Sequence, residues 1–341
     1  MLLISFGTRP EYIKIKPVLQ KIIEYGLSEK VKLVYTGQHV DLIDFCDLDD
    51  FFKDTITLKI PNLDNRLDSI ISSPFCYKKL FSEISSTMIQ GDTTSALAMA
   101  IASFHRKIKI IHLEAGLRTY DIFNPYPEEF NRQTISRISN INLCPTKISK
   151  NNLKKELVFG KNYIVGNTVL DNIKNYNISY NNQIIVTMHR RENHEILAKW
   201  FYEIENLANL YKNLEFIIPL HLNPSVIKHR SIFKKVKVVP PIKYKEFLTM
   251  LSASKMLITD SGGIQEEAAF LRKKTIVCRK FTERVEGLGK FSVLCKSPDL
   301  LYKIFEECNR NYKISKRALC PYGDGNSSEK IIAILQKHAI I

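Results

Sequence analysis

The sequence predicts an α/β protein of two halves, each a parallel sheet with crossover helices, joined by a polar linker and separated by a cleft. Three observations carry this prediction. Short β-rich runs alternate with helical patterns along most of the chain. The alternation breaks at Lys174-Asn-Tyr-Asn-Ile-Ser-Tyr-Asn-Asn182, which is rich in Asn and lacks the periodicity of a buried face. Finally, Leu257-Ile-Thr-Asp-Ser-Gly-Gly-Ile-Gln-Glu-Glu-Ala-Ala-Phe270 reads as a strand, a glycine turn and the start of a helix.

In the first half, Leu2–Phe6 is strand-like, Ile13–Ile23 is helical, and Lys32–Tyr35 is the next strand. Thr87–Gln90 is a strand followed by an Ala-rich helix over Ser95–His105. Ile108–Leu113 is a strand, Pro127–Asn140 a helix opened by proline, a favoured residue there, and Asn142–Cys144 a short strand. Tyr163–Val165 leads into a helix from Thr168. These elements define a first domain over 1–173 and a linker over 174–182. The second series starts at Ile184–Thr187 and continues through Phe216–Pro219, Val236–Val239, Met256–Thr259 and Thr275–Cys278, giving a second domain over 183–326.

Composition narrows the class. At 341 residues, 45% hydrophobic and 25% charged, the chain is globular and long enough for two cores. No apolar run reaches the ~18 residues of a membrane span, and Met-Leu-Leu-Ile-Ser-Phe-Gly reads as a strand rather than a signal peptide. The cysteines (Cys46, Cys76, Cys144, Cys278, Cys295, Cys308 and Cys320) are odd in number and form no Cys-x-x-Cys pair, which fits a reducing cytoplasm. The net charge of +15 comes largely from scattered lysines, with no nucleic-acid-binding signature beside it. No nucleic-acid or membrane partner is expected.

Strand ends carry the polar clusters, and ligands of such sheets bind there. In the 257–270 stretch, bare N–H groups at a helix start suit an anion, and glycine lets a phosphate come close. Glu266 and Glu267 beside it suit a sugar hydroxyl, so the expected ligand is a phosphorylated sugar of the nucleotide-sugar kind. The plainer alternative is an ordinary turn capped by Ser261. After the first strand, Arg9 and Lys14 suit a phosphate. Gln38 and His39 offer neutral hydrogen bonds or cap a loop. Asp92 follows the strand at Gln90, where N-capping is the plain alternative. Glu114 ends a strongly apolar run, where a charge needs a partner and where its acidity can be tuned. Glu128 and Arg132 are four apart on one helical face, either as an exposed ion pair or as an acid in the cleft with Arg132 setting its charge. In the second half, His189 can donate to a phosphate or move a proton. His189, Glu192 and His194 lack the spacing of a helical zinc site, so no metal is expected. His221 ends the next strand, and Arg284 is a second candidate phosphate clamp. No Gly-x-Gly-x-x-Gly fingerprint marks a nicotinamide enzyme.

Taken together, these segments resemble the non-hydrolysing UDP-N-acetylglucosamine 2-epimerases. The matching elements run in order: Gly7-Thr-Arg-Pro-Glu with Lys14, Gly37-Gln-His, Gly91-Asp-Thr-Thr, Glu114-Ala-Gly-Leu-Arg-Thr, Pro127-Glu-Glu-Phe-Asn-Arg, Gly166-Asn-Thr, His189-Arg-Arg-Glu, His221-Leu-Asn-Pro, Asp260-Ser-Gly-Gly-Ile-Gln-Glu-Glu, Thr282-Glu-Arg and Pro321-Tyr-Gly-Asp-Gly. The resemblance implies a glycosyltransferase-B-like fold of two Rossmann-like domains, with the final helix near Ser328–His338 (within 327–341) crossing back to the first. It implies a homodimer that interconverts UDP-GlcNAc and UDP-ManNAc for surface polysaccharides and needs no metal or redox cofactor. It implies acid–base roles for Asp92, Glu114 and Glu128 and assistance to the leaving diphosphate by His189. It places Arg9, Ser261, Gly262 and Gly263 at phosphate and Glu267 at ribose, with Arg132 and Arg284 lining the same cleft. The chain departs from the family pattern at Pro61–Cys76, which is shorter than usual, and at Asp41, where bacterial members often carry Gln or Glu. In several members that region binds a second, activating UDP-GlcNAc, a property therefore not carried over. Epimerisation of a 6-deoxy UDP-amino sugar and a glycosyltransferase of similar architecture are the alternative activities.

Overall fold

The computed structural model describes residues 1–38, 55–58 and 65–341. They form two compact units, Met1–Asn172 with Gly325–Ile341, and Ile173–Asp324. His39, Asp41 and Cys46 lie outside the described residues.

Among the described residues, the sheet of unit one has seven strands, all paired in parallel. They are β1 (Leu2–Phe6), β2 (Val31–Tyr35), β3 (Ile56–Thr57), β4 (Ser86–Gln90), β5 (Lys109–Leu113), β6 (Ile141–Cys144) and β7 (Lys161–Ile164). Their order is β3-β2-β1-β4-β5-β6-β7, so the winding reverses between β1 and β4. Both of these strands are buried along their whole length, and β1 accordingly reads as an almost continuous apolar run, Leu-Leu-Ile-Ser-Phe. Helices α1 (Arg9–Glu24), α2 (Arg66–Cys76), α3 (Thr94–Phe104), α4 (Glu128–Ile138) and α5 (Lys147–Lys155) pack around the sheet. One core joins Ile15, Val18, Leu19 and Ile22 of α1 to Leu2, Ile4 and Phe6. A second joins Met99 and Ala100 of α3 to Leu3, Val34, Ile89 and Ile110. The expected helix from Thr168 is a 3₁₀ segment, Thr168–Ile173, entered by Asn167, whose side chain accepts from the Val169 N–H.

Unit two holds, among the described residues, a parallel sheet of six strands in the order β10-β9-β8-β11-β12-β13. These are β8 (Gln183–Thr187), β9 (Glu215–Pro219), β10 (Lys237–Val239), β11 (Met256–Thr259), β12 (Lys274–Cys278) and β13 (Ser292–Cys295). The winding reverses between β8 and β11. The helices are α6 (Leu197–Leu210), α7 (Pro224–Ile227), α8 (Tyr244–Ala253), α9 (Gly263–Phe270) and α10 (Leu301–Arg310). Trp200, Phe201 and Ile204 of α6 pack with Ile184, Phe216 and Phe305.

The stretch 174–182 is tied down rather than loose. Ser179 and Asn181 donate backbone N–H groups to Ser252 and Ala253 at the end of α8, at 3.1 and 2.8 Å. The buried ammonium of Lys273 donates to the carbonyls of Ser179 and Ser254 and lies 3.9 Å from the Tyr180 ring centroid. Burial pulls the Lys273 pKa down to about 8.

The last helix, α11 (Ser327–Lys337), belongs to unit one. The Asp171 carboxylate accepts from the Ser327 and Ser328 N–H groups at 3.0 and 2.7 Å, satisfying donors that a helix start leaves unpaired. Ile331, Ile332 and Leu335 then complete the α1 core. At ~1.5–3 kcal/mol for each buried side chain, the three contribute on the order of 5–9 kcal/mol. Among the described residues, no helix is long and apolar enough to cross a membrane.

Candidate active site

Each sheet places its polar cluster where its winding reverses, at the carboxyl ends of the strands. In unit one, β4 ends at Gln90 and Gly91 turns the chain at φ 69°. Asp92 follows, but it does not cap α3. Thr93 takes that position, its hydroxyl accepting from the Ala96 N–H at 3.1 Å. The Asp92 carboxylate instead receives Arg132, with Nε at 3.1 Å and Nη2 at 2.5 Å. Asn131 donates to the Asp92 carbonyl at 2.8 Å. The capping alternative for Asp92 is thereby replaced by an ion pair to α4.

Glu114 follows β5 at φ 66°, a left-handed conformation unusual for a side chain of this size. Such strain costs about 1–3 kcal/mol and persists only where the surroundings enforce it. Here the enforcement is visible. Lys14 Nζ lies 2.6 Å from both carboxylate oxygens. Gln90 donates to Oε2 at 2.5 Å and Asn167 to Oε1 at 3.2 Å. Lys14, expected at a phosphate, therefore stands at this carboxylate instead.

Glu128 is the first residue of α4 and is partly buried. Its neighbour Glu129 is fully buried and accepts from the Thr119 and Tyr120 N–H groups at 3.0 and 3.1 Å, fixing the loop before the helix. Arg132, expected to pair with Glu128 at the surface, is buried and reaches Asp92 and Glu129. Arg9 is exposed at the start of α1. Gln38 accepts from the Ser95 N–H at 3.0 Å and so helps to cap α3.

In unit two, the fully buried Asp260 gathers three strand ends. It accepts from the His189 N–H at 3.1 Å, the Arg190 N–H at 2.9 Å and the Asn193 side chain at 3.1 Å. Asn193 also donates to the Cys278 carbonyl at 3.0 Å. His189 stacks on His221 with ring centroids 5.0 Å apart and planes 13° apart. Burial holds the His189 pKa below its ordinary 6.5; the Asp260 carboxylate opposes that shift and His221 adds to it. His189 is therefore neutral near pH 7 and keeps one N–H to donate.

No side chain caps α9, whose N-cap is Gly262. Ser261 does not serve as the cap; its N–H donates to Thr259 Oγ1 at 2.9 Å and its carbonyl accepts from Gln265 at 3.1 Å. The two glycines differ. A Cβ at Gly262 would lie 2.8 Å from Arg284 Nη1 and 2.9 Å from Glu283 Oε1, whereas a Cβ at Gly263 would meet nothing within 4 Å. Gly262 thus allows close packing, and Gly263 leaves the helix start open to an anion.

Glu266 and Glu267 are both buried. Glu266 accepts from Arg284 Nε at 3.1 Å, and Glu267 from the Tyr244 hydroxyl. Arg284 also donates to Glu283, which accepts from Arg279 at 3.1 Å, and Arg279 in turn reaches Glu192 at 2.6 Å. Arg284, expected as a phosphate clamp, is held by two carboxylates beneath the glycine loop.

Sequence reasoning missed Gln90, Asn167, Glu129, Asp260 and Asn193 as the residues that hold the cluster. Their signal lay in the motifs themselves: Asp260 sits at a strand end and Asn167 in Gly166-Asn-Thr. Among the described residues, no group of three or more His, Cys, Asp and Glu side chains is arranged to hold a metal ion.

Two Rossmann-like units, one with an open helix start and one with anchored carboxylates, define an enzyme of the nucleotide-sugar class. More narrowly, the chain belongs to the UDP-N-acetylglucosamine 2-epimerase family, whose model matches residues 27–336. It is 38% identical to a Campylobacter jejuni UDP-N-acetylglucosamine 2-epimerase across 98% of this chain and 97% of that one. Among solved structures, the Neisseria meningitidis UDP-GlcNAc 2-epimerase bound to UDP-GlcNAc has a TM-score of 0.82 at 33% identity, covering 98% of this chain and 99% of its own. The Methanocaldococcus jannaschii enzyme, in complex with UDP-GlcNAc and UDP, has a TM-score of 0.80 at 28% identity over 98% and 99%.

Proposed function

We propose that this enzyme inverts carbon 2 of a UDP-2-acetamido hexose, taking UDP-GlcNAc to UDP-ManNAc by elimination and re-addition of UDP. The observation that carries the reading is the anchoring of Glu114, a strained residue whose carboxylate is held by Lys14, Gln90 and Asn167. In the turn after the adjacent strand β4, Asp92 is held by Arg132 of α4. The UDP-GlcNAc bound by the meningococcal relative supports the choice of sugar.

The hydrogen on carbon 2 is not acidic enough for simple removal. A carboxylate takes it as the anomeric C–O bond breaks. The C–H electrons form the double bond between carbons 1 and 2, and UDP leaves with the electrons of the broken bond. The product, a 2-acetamidoglucal, takes a proton on the opposite face of carbon 2 while a phosphate oxygen of UDP re-forms the bond to carbon 1. Asp92, Glu114 and Glu128 serve these transfers, each worth about 10²–10⁴-fold. Neutral His189, backed by His221, donates a hydrogen bond to the departing diphosphate. The open start of α9 at Ser261–Gly263 and Arg9 hold phosphate, and Glu267 takes the ribose hydroxyls. Lys14, Gln38, Arg132 and Arg284 fix the groups that do so.

The test is an NMR time course in heavy water over UDP-GlcNAc, UDP-ManNAc and the 6-deoxy UDP-amino sugars. Deuterium should enter carbon 2 of substrate and product without any acceptor present. A transferase would need an acceptor and leave carbon 2 unlabelled. Absence of label from every UDP-2-acetamido sugar would overturn the proposal.

A further inference from the structure

His112 is fully buried in β5, two residues before Glu114, and takes no part in the proton transfers described above. Its Nε2 lies 2.8 Å from the carbonyl oxygen of Gly91, the residue before Asp92. A carbonyl only accepts, so Nε2 carries the hydrogen and the ring is the Nε2–H tautomer. Its buried Nδ1 then has a lone pair and no hydrogen-bond partner among the described residues. Leaving such an acceptor unpaired costs on the order of 1–3 kcal/mol, so packing alone does not account for the ring.

What the ring joins explains its presence. Gly91 and Glu114 are both left-handed, at φ 69° and 66°, and they carry the two turns from which Asp92 and Glu114 project. The Gly91 N–H donates to the Leu113 carbonyl at 2.9 Å. Gln90 and Glu114 are bonded side chain to side chain. His112 adds the third tie between these turns, to a carbonyl that the β4–β5 ladder does not use. We infer that His112 is a positioning residue for the epimerisation, fixing the Gly91 turn so that Asp92 and Glu114 keep one relative placement.

The ring also suits that task because it carries no charge. Burial pushes its pKa down to about 4; the bond to Gly91 and the Asp92 and Glu114 carboxylates oppose the shift, and Arg118 adds to it. A cation here would compete with Lys14 and Arg132 for the two carboxylates they hold. A neutral donor braces the turn without altering their charge. The inference rests on the proposed epimerase reading and extends it to a side chain that touches no substrate atom.

The experiment compares the purified enzyme with His112→Gln, which keeps a side-chain N–H donor, and His112→Phe, which keeps the bulk alone. Label entry at carbon 2, kcat, KM, UDP binding and the pH–rate profile are measured for each. His112→Phe should lower kcat by about 10–100-fold, with KM and UDP affinity within about threefold. His112→Gln should recover most of that loss, with both limbs of the pH–rate profile unmoved. A folded, UDP-binding His112→Phe with near-normal kcat overturns the inference. So does a His112→Gln enzyme that has lost a limb of its pH profile, because the ring would then be a proton carrier. If His112→Phe does not fold, the His112→Gln profile alone decides. Failure of the epimerase reading is distinct, since the wild-type enzyme would then show no label at all.

Discussion

Glu11 offers a sharp test of the packing beneath the Asp92 turn. Its carboxyl is buried in α1, where it accepts from the Gly7 N–H at 3.0 Å and the Thr93 hydroxyl at 2.8 Å. Burial raises its pKa from 4.5 to about 7, with the hydrogen bonds from Thr8, Gly7 and Thr93 pulling the other way. The folded state therefore binds this proton more tightly than the unfolded chain. Its stabilising contribution is complete below 4.5 and is lost as pH rises through about 7. At about 1.36 kcal/mol per tenfold, that gap amounts to roughly 3 kcal/mol for a group with no solvent contact. Glu11→Gln replaces the titrating group with a neutral side chain of the same shape. Denaturant unfolding of wild type and variant, followed at about pH 5 and about pH 8, reads the difference. The variant should lose roughly 2–3 kcal/mol less than wild type between these conditions. Equal losses in both proteins would mean that Glu11 does not titrate in this window and that its burial is not what sets its acidity.

Other substitutions separate the roles assigned to the two units. Asp92→Asn, Glu114→Gln and Glu128→Gln should each lower turnover by at least about 10²-fold, and near-normal rates in all three would refute the carboxylate assignment. Gly262→Ala should weaken UDP binding about tenfold or more by forcing Arg284 and Glu283 apart, as read by calorimetry. Gly263→Ala should leave folding within about 1 kcal/mol of wild type, because nothing lies where its methyl would go. A loss of UDP affinity from Gly263→Ala with unchanged stability would mark the open helix start as the anion site, whereas unchanged affinity would refute that role.

The alternation of strands and helices was legible because each half buries its sheet on both faces, so strands such as β1 read as apolar blocks. The strand ends were legible because glycines and charges cluster there. Edge strands β3 and β13 were not read; β3 has only two residues, too few to show a period. The partners within the cluster were the least legible part. Lys14 and Glu114 are 100 residues apart, and Arg132 and Asp92 are 40 apart. Local spacing shows Glu128 and Arg132 sharing a helical face, but that Asp92 also meets the guanidinium follows only from the strand order. The Asp92 cap failed for a related reason: Thr93, one residue on, offers the shorter reach to the helix N–H groups.

The return of α11 to unit one bears on how the polypeptide is made. Leu2, Ile4 and Phe6 are synthesised long before Ile331, Ile332 and Leu335, which supply part of their apolar cover. The nascent amino-terminal unit therefore leaves the ribosome with a gap in its core, while unit two has its whole sheet available before the last helix emerges. Closing that gap waits for α11, so the stability of the carboxylate-bearing half depends on a helix made after the whole of unit two.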